Sequence, residues 1–181
     1  MGLENGAELA AVLDEGDRLG LVFARHAYGM RAWVDLFSQR VSGIDDPERK
    51  ALVATLVADN ARHMLLFRER ARAHGVDPDA YAAPDEGEVI YERIEELTDL
   101  DELVGYALGS LDHFDQLLAV YRAAAAGEDA QTIDRVRADV DRMLASLRPL
   151  GGATADRLAA EAHERYRVRE LVETPRYVHG G

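Results

Sequence analysis

Residues 101–121 have the sequence DELVGYALGSLDHFDQLLAVY, in which apolar residues recur at intervals of three and four positions. This spacing places the apolar side chains on one face of an α-helix, which has 3.6 residues per turn. Such a face is stable only when it packs against other helices, so this stretch predicts a helical bundle. Its members are Leu103, Ala107, Leu111, Phe114, Leu118 and Tyr121.

Other stretches have the same periodicity, namely residues 7–41, 47–74 and 129–148. The sequence Asn5-Gly6-Ala7-Glu8 has the spacing of a capping box at the start of the first stretch. Asp46 followed by Pro47 is a typical start for the second. These signals predict long helices over all three stretches.

Two more helices and one long connection complete the predicted all-α architecture. A short helix is expected at 88–97 and an additional C-terminal helix from 154 to about 172, whereas no stretch has the period of two that is typical of a strand. The connection 75–98 is long, which favours a four-helix bundle with one long crossover. At 181 residues, the chain is expected to form a single domain, 1–174, followed by a tail, 175–181.

The composition argues against several classes of function. The net charge is −13, from 21 basic and 34 acidic residues, so the surface should repel nucleic acids. The absence of cysteine excludes disulfides, thiolate nucleophiles and cysteine-based zinc sites. No apolar run reaches the roughly 18 residues that span a bilayer, and the N-terminus does not resemble a signal peptide. We therefore expect a cytoplasmic protein that binds neither nucleic acid nor membrane.

The acidic residues concentrate at 85–102, where nine carboxylates accompany one basic residue, Arg93. One interpretation of this acidic segment is a solvated helix face. The other is a docking surface for a basic protein partner or for a second copy in a homodimer.

Polar residues interrupt the predicted apolar faces of three helices. Burying an imidazole or an amide without a partner costs roughly 1–3 kcal/mol, so a stable bundle must satisfy these groups. They are His26 on the first helix, Asn60 and His63 on the second, and Tyr106, Ser110 and His113 on the third.

Three arrangements would satisfy these six residues. The first is a buried hydrogen-bond network. The second is a metal site with His26, His63 and His113 as ligands, because neutral imidazole is a common metal ligand. The third is a small-molecule pocket in which His26 or His63 acts as the catalytic acid or base, and in which the other four residues bind or orient the ligand.

The segment Asp59–Ala71, DNARHMLLFRERA, resembles the second helix of ferritin-like, di-iron carboxylate proteins. In that family a Glu-x-x-His pair is commonly followed by an apolar run and a charged helix end. The pair here is Asn60 and His63, and the long crossover also suits the family. The resemblance covers about residues 8–148 by helix layout, and it implies a ferritin-like four-helix bundle with an additional C-terminal helix.

The di-iron ligands implied by the resemblance are replaced in this sequence. Asn60 stands where a glutamate is implied, the ligand of the first helix falls near His26 and Ala27, and that of the third falls at Ser110 or His113. About four buried carboxylates would be needed to balance the metal charge, so a di-iron cofactor is not expected. A register shift of one turn would recruit other carboxylates, which are Glu15, Asp17, Asp112 and Asp115.

The leading hypothesis is a ferritin-like protein that has lost its di-iron site and binds a small molecule in a polar core pocket, with histidine acid–base chemistry. The alternatives are a metal-dependent oxidoreductase with one ion held mainly by histidines, and a non-catalytic partner protein. Whether the chain is an enzyme and which cofactor it uses are left open. A further candidate cluster on the fifth helix, interpreted mainly as an exposed face, comprises Glu161, His163 and Glu164.

Overall fold

The computed structural model describes residues 9–11, 13, 18–82 and 85–179, with the backbone alone at 85–89 and 168–179. All regular structure in these ranges is helical, which confirms the predicted all-α class. In this part of the chain, no helix is both long enough and apolar enough to cross a membrane. The helices are α1 (Leu19–Val41), α2 (Pro47–Ala73), α3 (Asp85–Glu95), α4 (Leu100–Ala124), α5 (Gly127–Leu147), a 3-10 helix (Arg148–Leu150) and α6 (Ala153–His179).

Small differences of two or three residues apart, such as α3 at Asp85–Glu95 instead of 88–97, the helix boundaries depart from the sequence-based expectation at two places. Residues 9–11 and 13 are helical as expected, but Arg18 is not, so the helix expected over 7–41 is interrupted and α1 begins at Leu19. At the other end of the chain, α6 continues through Pro175 to His179, well past the expected end near Val172. A proline inside a helix removes one backbone hydrogen bond, and here this local cost does not end the helix.

By its internal contacts the chain divides into two compact units, which are described separately. Residues 20–82 form one, called here the α1–α2 unit. Residues 1–19 and 83–181 form the other, called here the α4–α6 unit.

In the α1–α2 unit, aromatic packing joins the two helices. The rings of Phe23 and Phe67 lie 5.4 Å apart, and the ring of His74 lies 6.0 Å from that of Phe23. As predicted, Asp46 caps α2, because its carboxylate accepts the Arg49 N–H at 2.7 Å. These contacts fix the start of α2 and its packing against α1.

In the α4–α6 unit, helix α4 packs against both α5 and α6, while α3 packs against α6. Ion pairs join α4 to α5: Arg137 donates to both carboxylate oxygens of Asp115 at 2.8 and 3.2 Å, and Arg122 donates to Asp134 at 2.8 Å. The predicted apolar face of α5 is fully buried and comprises Ile133, Val136, Val140, Met143 and Leu147. Helix α4 therefore lies at the centre of this unit.

The backbones of α4 and α6 are in direct contact. A Cβ atom added to Gly105 would lie 2.5 Å from the Cα of Ala155. One added to Gly109 would lie 2.8 Å from the Cα of Ala159 and still closer to its carbonyl oxygen. Because the two glycines are one turn apart, they form a flat strip on α4 against which α6 lies. We call this contact the α4–α6 seam.

Candidate functional site

The polar residues predicted to interrupt the apolar faces are buried, which confirms that part of the sequence analysis. Their exposed fractions are 0% for Tyr106, 1% for His63, 2% for His113, 4% for Asn60, 7% for Ser110 and 8% for His26. The structure brings Tyr106, Ser110 and His113 together on α4, and it places His26, Asn60 and His63 in the α1–α2 unit. A single pocket lined by both sets stays a prediction.

In the α1–α2 unit, protein groups already engage two of the polar residues. Asn60 donates its side-chain N–H to the carbonyl oxygen of Leu56 at 2.8 Å. The Nη1 atom of Arg25, which is also buried, lies 3.0 Å from the Nε2 atom of His26. Since a guanidinium can only donate, Nε2 of His26 accepts, and the imidazole proton is on Nδ1. The catalytic roles predicted for His26 and His63 are not tested by these contacts.

On α4, the polar residues lie beside the seam with α6. The ring of His113 stacks on that of Tyr166 at 5.7 Å and meets the ring of His163 edge-on, also at 5.7 Å. Ser110 donates to the carbonyl oxygen of Tyr106 at 2.9 Å, so its hydroxyl is satisfied within its own helix. The seam thus collects two imidazoles and two phenols from α4 and α6.

A charged triad adjoins these rings. Arg93 of α3 donates through Nε and Nη2 to the two carboxylate oxygens of Glu161, at 2.8 and 3.4 Å. Arg165 donates through Nε to the same carboxylate at 3.1 Å. The hydrogen bond from Arg93, aided by Arg165, lowers the pKa of Glu161. The triad therefore holds one carboxylate between two guanidiniums.

The hydroxyl of Tyr106 is the unusual group of the site. It has no exposed surface and no hydrogen-bond partner among the residues that the structure describes. Burial raises the pKa of Tyr106, with Tyr166 acting in the same direction and Arg165 in the opposite one. The phenol thus stays neutral and keeps a proton to donate. It gives the seam a buried donor for which the described part of the protein supplies no acceptor.

Sequence reasoning underestimated the contribution of α6. The cluster of Glu161 and His163 was interpreted as an exposed face, yet the Glu161 side chain is 24% exposed and the His163 ring touches His113. Tyr166 was not singled out at all. The signal was present, because Leu158, Ala162 and Tyr166 continue one face at intervals of four residues.

The carboxylates considered for a shifted metal site have other partners where they are described. Asp115 binds Arg137, and Asp112 accepts from Arg148 at 3.3 Å. Glu15 and Asp17 lie outside the described residues. Within the described ranges, no group of three His, Asp or Glu side chains is placed to hold a metal ion. The donor set there does not fit a di-iron centre.

The acidic segment 85–102 is only partly described, since nothing is specified for the side chains of 85–89. Its single basic residue, Arg93, pairs with Glu161 and, at 3.3 Å, with Glu96. Arg93 is therefore tied to α6, and the docking role of the acidic segment stays a prediction.

The paired state of Glu161 gives a testable pH dependence. Its pKa is lower in the folded chain than in the unfolded one, so its stabilising contribution is complete above the ordinary glutamate pKa of about 4.3 and is lost as the pH falls through the lowered value. We expect Glu161→Gln to lower the unfolding free energy at pH 7 and to weaken its decline between about pH 5 and 3. Urea unfolding at several pH values measures both.

The matched control is Glu164→Gln on the same helix. Glu164 also binds an arginine, Arg167, at 2.8 Å, but its side chain is 62% exposed and solvent screens the pair. Glu164→Gln should therefore change the pH dependence of the unfolding free energy less than Glu161→Gln does. Identical profiles for the wild type and Glu161→Gln would contradict the assigned role of the triad.

Comparison of the chain with protein-family models, with curated proteins and with solved structures gives no match.

Proposed function

We propose that this protein binds a small polar molecule at the α4–α6 seam, and that a histidine of the seam serves as an acid or base toward it. The proposal is carried by one observation, the fully buried Tyr106 hydroxyl that lacks a partner among the described residues. A bound molecule that accepts a hydrogen bond from the Tyr106 hydroxyl would provide the acceptor that the described protein groups do not.

The energetic argument concerns the choice between tyrosine and phenylalanine. Leaving a buried donor unsatisfied costs about 1–3 kcal/mol, a large share of a net stability of about 5–15 kcal/mol. Phenylalanine would fill the same space without that cost. A hydroxyl at position 106 is therefore better explained by an interaction outside the described protein than by packing.

The histidines supply the acid–base part of the proposal. His113 is 2% exposed and lies seven residues from Tyr106, which is two helical turns along the same face. His163 meets His113 edge-on across the seam. Imidazole titrates near neutral pH and can transfer a proton to or from a bound molecule.

Three residues of the α1–α2 unit carry a separate proposal, made for that unit by itself. His26 and His63 are proposed as an acid or base, and Asn60 as an orienting group, on the ground that all three are buried polar side chains.

A relationship to ferritin-like proteins is likewise proposed, with the di-iron site lost. It is supported by the Asp59–Ala71 segment and by the order of the helices. The ferritin-like four-helix bundle stays a prediction of the sequence.

The proposed binding is tested with the full chain by ligand-observed NMR, using neutral, cationic and anionic small polar compounds. At least one class should bind the wild type, and its affinity should fall about tenfold in Tyr106→Phe, the value of one good hydrogen bond. The ring protons of His113 or His163 should also shift when the compound binds.

The control variant is Tyr121→Phe on the same helix. Tyr121 is 1% exposed, and its hydroxyl is not an unpaired buried group. This variant should keep full affinity. If no compound binds, or if binding survives Tyr106→Phe unchanged, the proposal is wrong.

A further inference from the structure

We propose that His113 and His163 form a pH-sensitive pair that loosens the α4–α6 seam when both imidazoles are protonated. The inference concerns the conformation of the α4–α6 unit and does not depend on ligand binding. It rests on the contact between the two rings, on the backbone contact that holds them together, and on the arginines that already bind the carboxylates around them.

The two imidazoles belong to different helices and are in contact. The ring of His113 in α4 meets that of His163 in α6 edge-on, with the ring centroids 5.7 Å apart. His113 is 2% exposed, whereas His163 is half-buried and within reach of protons from solvent. Imidazole has an ordinary pKa of about 6.5, close to neutral pH. Mild acidification therefore favours protonation of imidazole, here at a contact between two helices.

The backbone contact of the seam holds the two rings together. The contacts of Gly105 and Gly109 with α6 are followed, one turn further along both helices, by the contact of His113 with His163. Because α4 and α6 touch through their backbones at the two glycines, the imidazoles cannot move far apart while the helices stay packed. Repulsion between the two rings would therefore act to separate the helices.

The repulsion between two imidazolium ions at this distance is large. Two unit charges 5.7 Å apart, in a medium with an effective dielectric constant of about 20, disfavour the doubly charged contact about a hundredfold. The ring of Tyr166, which stacks on that of His113 at 5.7 Å, can accommodate one charge over its face. The packing of α6 on α4 therefore opposes the second proton and tolerates the first.

The carboxylates near the pair are already bound to arginines. Four carboxylates flank the two histidines in sequence, and each accepts a hydrogen bond from an arginine of α3, α5, α6 or the 3-10 helix. Such carboxylates offer little compensation for a second imidazolium, because each of them already balances a guanidinium. The pairs are Asp112 with Arg148, Asp115 with Arg137, Glu161 with Arg93 and Arg165, and Glu164 with Arg167.

The direction of the pH effect follows from proton binding. When α6 is separated from α4, both imidazoles are in water and bind protons below about pH 6.5, whereas the packed pair accommodates one. Because the separated state binds more protons, packing of the seam is favoured at and above neutral pH and weakens as the pH falls through the imidazole range. The seam should therefore be closed at neutral pH and loosened in mild acid.

The test is hydrogen exchange of the full chain at about pH 7.5 and about pH 5.5, expressed as protection factors so that the intrinsic pH dependence of exchange cancels. The amides of residues 155–167 in α6 should lose about tenfold in protection at the lower pH, and those of α5, which contains no histidine, should lose less. His163→Gln and His113→Phe each leave one imidazole and should abolish the loss in α6. The control is His74→Gln, which replaces a half-buried histidine of the α1–α2 unit and should leave the loss in α6 unchanged.

Two results would overturn this inference. One is a wild-type α6 whose protection factors are as high at the lower pH as at the higher. The other is a full loss of protection in either variant that folds, which would assign the pH response to groups other than this pair. A failure of one variant to fold leaves the test intact, because either substitution alone removes the second charge.

Discussion

Replacing Gly109 by alanine is expected to destabilise the protein by at least about 2 kcal/mol and to lower its Tm by about 4–8 °C. The new methyl group would lie 2.8 Å from the Cα of Ala159 and closer to its carbonyl oxygen, both of which are backbone atoms of α6. Backbone cannot rotate away as a flexible side chain can, so the two helices would have to separate. Separation would expose the seam and lose the packing around it, at a cost larger than the roughly 1 kcal/mol that alanine gains in helix propensity.

The control for this substitution is Gly29→Ala in α1. Gly29 is also helical, and a Cβ added there meets no atom within 4 Å. This variant should be as stable as the wild type or more stable, by up to about 1 kcal/mol. Thermal and urea unfolding of both variants measure the difference. If Gly109→Ala behaved like Gly29→Ala, the direct backbone contact of α4 with α6 would be wrong.

Replacing Tyr106 by phenylalanine is expected to stabilise the ligand-free protein, in contrast to Gly109→Ala. The substitution removes a buried hydroxyl that has no partner among the described residues, while the ring keeps its packing. The unfolding free energy should rise by about 1–3 kcal/mol, the cost of an unsatisfied buried donor. Urea unfolding without added small molecules measures this gain.

The gain in stability should accompany the loss of binding described above. A residue whose removal stabilises the fold and weakens binding serves the ligand and not the packing. Tyr121→Phe, at an equally buried position of α4, should not stabilise the protein. A loss of stability in Tyr106→Phe would show that the hydroxyl has a structural partner in the protein.

The helices could be predicted from the sequence because helix caps and apolar spacing are local features of the chain. The apolar face of α5 and the cap at Asp46 follow from spacing and residue type alone, and the structure confirms both. The burial of His113 and Tyr106 was equally accessible, since each interrupts an apolar face whose position is set by the helical period. None of these predictions needed to know which helix packs against which.

The partners across the seam could not be predicted in the same way. Placing His163 beside His113 depends on α6 lying against α4, fifty residues away in sequence, and on a close approach that Gly105 and Gly109 permit. In the sequence these glycines look like weak helix formers, and only their spacing of four hints at a contact face. Arg93 illustrates the same limit, because its pairing with Glu161 joins residues far apart in the chain.

The net charge of the whole chain says little about the charges at the seam. The chain is strongly acidic overall, yet Glu161 holds two arginines at the seam, and Asp112 and Asp115 of α4 bind arginines that follow them in sequence. Carboxylates that are neutralised in this way are structural groups. The donor left over, the Tyr106 hydroxyl, favours a ligand that accepts a hydrogen bond.

The central claim is that the Tyr106 hydroxyl serves a ligand and not the protein. It is tested most directly by a high-resolution crystal structure of the protein in complex with the tightest-binding compound found by NMR. We expect an acceptor atom of that compound within about 2.5–3.0 Å of the Tyr106 Oη atom. A Tyr106 hydroxyl that donates to a protein atom, or that meets only water in that crystal, would contradict the claim.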